Sequence, residues 1–77
     1  MNSDEIKVLI ETSIEDAVAN VTSDDNVHFE AIVISQAFSE KSLIQRHQMV
    51  YSSLGDKMQS EIHALSLITL TPKENLE

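Results

Sequence analysis

Three histidines, His28, His47 and His63, are the side chains best suited to hold a metal or move a proton near neutral pH. No cysteine accompanies them, so the chain supplies no thiolate ligand, no disulfide and no sulfur nucleophile. The histidines lie too far apart for a helical zinc motif with two ligands on one turn. Carboxylates are plentiful, but Asp24-Asp25 sits in a polar cluster and reads as a turn rather than an acid–base pair. There is no glycine-rich phosphate loop, no nucleophile elbow and no serine with a histidine at diagnostic spacing. The residues point to binding, not catalysis.

Each candidate has its own setting. His63 falls between a short helical stretch and the last strand, where an imidazole can reach outward without disturbing a core; the competing reading is a histidine bonded to the first backbone groups of that strand. His28 opens the second strand. Strand alternation puts it on the face of Glu30 and Ile32, opposite Phe29, Ala31 and Val33. His47 shares an apolar helical stripe with Ile44, Val50, Tyr51 and Leu54, where a half-buried histidine with a structural hydrogen bond is the expectation. Tyr51 is expected in the core. Arg46 diverges from His47 by about 100° around the helix and is placed to meet an acidic group of a partner.

The elements that must carry these residues follow from periodicity. Ser3 is a candidate N-cap, with Asp4 and Glu5 in the first turn. Ile6, Leu9, Ile10 and Ile14 then form the stripe of an amphipathic helix over about residues 4–14. Ala17, Ala19 and Val21 alternate as a first strand, residues 22–26 form a polar turn, and the β-branched run 27–35 is a second strand, giving an antiparallel hairpin. Ser42 and Gln45 have capping-box spacing at the head of a second helix carrying Leu43, Ile44, His47, Val50, Tyr51, Leu54 and Met58 on one face. Gly55 is expected to end that helix in a left-handed conformation, and residues 56–61 to form a further turn or short helix. Residues 64–71 read as a third strand, apolar on both faces. Thr71-Pro72-Lys73-Glu74 then starts a helical stub. The order α-β-β-α-β predicts an α/β two-layer sandwich with both helices on one face of a three-stranded sheet, as a single domain over residues 1–77.

The whole chain has a formal charge of −8, unevenly placed. Up to Glu30 the acids Asp4, Glu5, Glu11, Glu15, Asp16, Asp24, Asp25 and Glu30 face Lys7 alone, whereas the 41–57 segment sets Lys41, Arg46 and Lys57 against Asp56. Phosphate backbones are gripped by clustered Lys and Arg, so this balance disfavours nucleic acid and anionic membranes as main partners, while the cationic middle keeps a nucleic-acid reading open. The acidic start lacks the pattern of a signal peptide, and no apolar run approaches the roughly 20 residues of a membrane span. A soluble, intracellular protein, cytoplasmic by expectation, follows.

Several stretches together resemble the BolA family. They are Val33-Ile34-Ser35-Gln36-Ala37-Phe38, Gln45-Arg46-His47-Gln48-Met49-Val50-Tyr51, Ile62-His63-Ala64-Leu65 and Thr69-Leu70-Thr71-Pro72-Lys73-Glu74. The match runs from Ile6 to Glu74 and resembles the short BolA-like branch. The resemblance implies a fold related to the second type of KH domain. It also implies partnership with a monothiol glutaredoxin, the two proteins sharing a [2Fe–2S] cluster that this chain does not hold alone. In that arrangement the glutaredoxin and glutathione supply thiolates. The BolA-like protein supplies a histidine after its second helix, here His63, and often a second ligand from the first hairpin, here His28, with His47 the remaining candidate. Arg46 is then a candidate contact for glutathione or a partner carboxylate. The role implied is that of an adaptor in iron–sulfur trafficking and iron homeostasis.

Other members are described as DNA-binding regulators, so a nucleic-acid-binding regulator of KH or helix-turn-helix type is the alternative, and a weak homodimer with a structural or stress role is a third reading. The chain departs from the family where a glycine usually follows Phe-x, because Glu40 follows Phe38-Ser39, and where Asn75 replaces an aromatic. A KH domain needs a glycine-rich loop to approach phosphates closely, so the first departure weighs against that mode.

Overall fold

The computed structural model describes residues 1–60, 62 and 64–77. The elements follow in the order α1 (Ser3–Ser13), β1 (Val18–Thr22), β2 (His28–Ile34), a 3-10 turn (Gln36–Phe38), α2 (Leu43–Leu54), α3 (Lys57–Ser60), β3 (Ala64–Leu70) and α4 (Pro72–Asn75). The sheet order is β1-β2-β3. β1 and β2 form the expected antiparallel hairpin, with Thr22 opposite Glu30 and Val18 opposite Ile34. β3 runs parallel to β2, from His28 opposite Ala64 to Ile34 opposite Leu70. A parallel neighbour requires a crossover, and α2 with α3 returns the chain to the end of the sheet where β2 began.

α1 starts one residue earlier than expected. Asn2, not Ser3, is the N-cap: its side chain accepts from the Glu5 backbone N–H, and the Glu5 carboxylate accepts from the Asn2 N–H. Starting at Asn2 puts Glu5 at the third helical position, where a capping box closes. The boxes at Ser42/Gln45 and Thr71/Glu74 close in the same way.

The core lies between the helices and one face of the sheet. Ile6, Ile10 and Ile14 of the first stripe bury against Ala19, Phe29, Ala31 and Val33, with Phe38, Val50, Leu54 and Ile62 completing the cluster. Burial alternates along β2, so His28, Glu30 and Ile32 face outward as alternation predicts. β3 differs from expectation. Ala64, Ser66 and Ile68 are exposed and only the other face packs inward, because among the described residues no second layer covers the outer side of the sheet.

α2 is turned relative to the predicted stripe. Val50 and Leu54 are buried, but Leu43, Ile44 and Tyr51 are exposed, Tyr51 at 40% and Ile44 at 71%. The inward line runs Arg46–Val50–Leu54, and the Arg46 guanidinium reaches the Thr69 carbonyl of β3 and the Glu74 carboxylate of α4. Ile44 and Tyr51 lie about 100° or more away from that line and face outward. Gly55 does end α2 at positive φ (55°), with ψ at −132° rather than in the left-handed helical well.

Candidate functional site

Ser23, Asp25 and Asn26 build the hairpin turn that presents His28. The Ser23 hydroxyl donates to the His28 carbonyl at 2.6 Å and accepts from the Asn26 N–H, while Asn26 takes φ 58°. Asp25 closes the turn from inside: its Oδ1 accepts from the backbone N–H of both Val27 and His28, each at 2.9 Å. Its other oxygen, Oδ2, lies 2.9 Å from His28 Nδ1. The His28 side chain, then the His28 and Val27 N–H groups, hold the Asp25 carboxyl well below the usual carboxylate range. An ionised carboxylate only accepts, so Nδ1 must carry the proton. Among the described residues nothing hydrogen-bonds His28 Nε2, and the side chain is 70% exposed. A solvent-facing imidazole with its inner nitrogen held by a carboxylate is the arrangement in which the outer nitrogen can ligate a metal.

The same turn borders a shallow depression of about 350 Å³, whose far side is Ala64 and Ser66 of β3. The parallel register is what brings β3 here. Ala64 lies opposite His28, and Ala64 is the residue covalently joined to His63. His63 itself lies outside the described residues.

His47 is placed elsewhere. It follows Arg46, whose guanidinium reaches the Thr69 carbonyl, and Thr69 lies five residues along β3 from Ala64, about 16 Å in an extended strand. His47 Nε2 is buried without a hydrogen-bond partner among the described residues, and the ring meets Tyr51 edge-on at 6.4 Å between centroids. The fold does not bring His47 into the lining of the depression that His28 borders. It shows instead a half-buried helical histidine, but without the hydrogen bond expected of one.

Arg46 meets a carboxylate of its own chain. Nη1 and Nη2 grip Glu74 Oε1 and Oε2 at 2.6 and 3.1 Å, and Nε donates to the Lys41 carbonyl at 3.0 Å. Its Cζ stands 6.0 Å over the Phe38 ring centroid. Glu74 raises the arginine's proton affinity, and Arg46 in turn lowers the Glu74 carboxyl to about 2, helped by the Thr71 N–H. A glutathione or partner carboxylate at Arg46 would have to displace Glu74. Sequence reasoning did not foresee this latch, nor the part played by Asp25; in each case the partner is defined by folded geometry rather than by a motif.

The comparisons with known proteins decide the family. Residues 2–74 match the family described as BolA-like protein. The chain belongs to the BolA-like family. The structure of a BolA protein homologue from Coxiella burnetii superposes with a TM-score of 0.90 at 40% identity, covering 100% of this chain and 99% of that one. The chloroplastic/mitochondrial SufE-like protein 1 of Arabidopsis thaliana is 42% identical over 59 residues, 75% of this chain and 16% of that protein. The DNA-binding transcriptional regulator BolA of Escherichia coli is 34% identical over 67 residues, 87% of this chain and 64% of that protein. This BolA-like chain therefore spans less than two thirds of those two relatives. No helix among its described residues is long and apolar enough to cross a membrane.

The chain's own nitrogen and oxygen donors are imidazoles and carboxylates. Among the described residues no three His, Cys, Asp or Glu side chains converge on a metal position, and the chain has no thiolate. An imidazole such as His28 can complete a ligand set whose sulfur donors come from another molecule.

Proposed function

We propose that this BolA-like protein is a non-catalytic adaptor that binds a monothiol glutaredoxin and contributes imidazole ligands to a shared [2Fe–2S] cluster. The observation that carries the reading is the register pair His28–Ala64, which sets the exposed, carboxylate-supported His28 beside the strand end that His63 precedes in sequence. His63 is the first ligand and His28 the second, with glutaredoxin and glutathione supplying the thiolates. When bound, the cluster brings electron-transfer and ligand-exchange chemistry. The protein's own part is to orient imidazole nitrogens, because replacing thiolate by imidazole raises the cluster's potential and alters its hold. The setting is iron–sulfur trafficking in a cytoplasmic or equivalent reducing compartment.

The test is reconstitution. Cluster-loaded monothiol glutaredoxin with glutathione, mixed with this protein, is expected to run as a heterodimer on size exclusion with iron and sulfide in the same peak. His63→Ala should remove that peak and His28→Ala should weaken it. Separate elution of the two wild-type proteins contradicts the reading.

The name of the E. coli relative favours a second reading, DNA binding. The cationic 41–57 segment would have to supply the phosphate contacts, but Arg46 there is engaged by Glu74, and Glu40 stands at the connector. DNA affinity that falls steeply with added salt would support this reading, and no binding at low salt would end it.

A further inference from the structure

We infer that Asp25 is a positioning residue whose hydrogen bond to Nδ1 holds His28 in one tautomer and leaves Nε2 as the ligating atom; this rests on the shared-cluster reading. The geometry divides the work of the carboxylate between its two oxygens. Oδ1 accepts from the Val27 and His28 N–H groups and shapes the turn, while Oδ2 accepts a hydrogen bond from Nδ1–H, the two heavy atoms 2.9 Å apart. The first contacts would be made by any turn-forming Asp or Asn. The second is not needed for the turn. It holds the ring of an exposed side chain by Nδ1 and leaves Nε2 free of the turn, on a residue that borders the depression shared with Ala64. Without it, an exposed imidazole in water favours the form with the proton on Nε2, and that proton must leave before the nitrogen can bind a metal. Carboxylate partners of ligating histidines act in this way at metal sites generally, and their loss typically weakens metal binding by about 10–100-fold.

Asp25→Asn separates the two functions. Its amide oxygen can still accept the two backbone N–H groups and keep the turn, but its NH2 group donates where Oδ2 accepted. Nδ1 must then become the acceptor, which moves the ring proton to Nε2. Nitrogen-15 NMR of the free protein above the imidazolium range reads the proton position directly. Wild type should show Nδ1–H at His28 and Asp25→Asn should show Nε2–H, with backbone shifts of the sheet unchanged. Titrated into cluster-loaded glutaredoxin, Asp25→Asn should bind about 10-fold more weakly than wild type, approaching His28→Ala, and the double variant should be no weaker than His28→Ala alone.

A His28 ring carrying its proton on Nε2 in the wild type overturns the inference. So does an Asp25→Asn protein that binds like wild type while His28→Ala does not, and that result leaves the shared-cluster reading standing. Wild-type binding by His28→Ala, with loss in His63→Ala, removes His28 as a ligand and the inference with it. Loss of binding in none of the variants overturns the shared-cluster reading itself.

Discussion

Glu74 joins two tasks in one carboxylate: it closes the capping box of α4 through the Thr71 N–H and binds both outer nitrogens of Arg46. The folded protein holds its carboxyl at about 2, against the ordinary 4.5. As pH falls, the unfolded chain therefore takes up the proton first. The stabilisation is complete above about pH 4.5 and is lost as the pH drops through about 2. Glu74→Gln should flatten the dependence of unfolding free energy on pH between those limits, read from urea curves at several pH values, while an unchanged slope would mean the pair is not formed in solution. This latch was only half legible in the sequence. The cap pattern Thr71-Pro72-Lys73-Glu74 announces itself locally, but Arg46 lies in another helix, and nothing local couples it to Glu74. His28 shows the same division. Alternation placed its face correctly, whereas the role of Asp25 depends on how a five-residue turn folds back on the strand it precedes.

At the scale of elements, periodicity carried most of the fold because each helix or strand buries one face. α1, the hairpin and β3 stand where apolar spacing put them. The rotation of α2 was hidden, since Ile44 and Tyr51 look as suited to a core as Val50 and Leu54, and no local pattern shows that Arg46 shares the inward line. The parallel pairing of β3 was hidden too, being a property of two strands and a crossover rather than of any segment, and it is the feature that brings Ala64 beside His28. The connector stores local strain. Glu40 takes φ 63°, and a left-handed conformation costs an L-residue about 1–2 kcal/mol. Glu40→Gly regains most of that and gives back part of it through the freer unfolded chain. The expected net gain is about 0.5–1 kcal/mol, seen as a higher urea midpoint with an unchanged slope; a lower midpoint would show that Glu40 makes contacts outweighing its backbone cost.

For the molecule as a whole, charge is the dominant quantity. A chain of 77 residues carrying −8 folds to dimensions of 31 × 21 × 19 Å. At 0.01 M salt the screening length is about 30 Å, so every acidic group feels the others; at 0.15 M it is about 8 Å. Added salt should therefore stabilise the fold, and relief of about 1 kcal/mol corresponds to a melting temperature higher by about 4–8 °C. A melting temperature that falls with salt would mean that attractive pairs such as Arg46–Glu74 outweigh the general repulsion. The same charge favours a partner with a basic docking face over a phosphate backbone.

The most direct test of the adaptor role is a visible circular dichroism titration of cluster-loaded monothiol glutaredoxin with this protein at fixed glutathione. Exchange of a thiolate for an imidazole should produce a new spectrum that saturates at one protein per glutaredoxin, and His63→Ala should abolish it. A spectrum that stays that of the glutaredoxin alone throughout the wild-type titration would contradict the account.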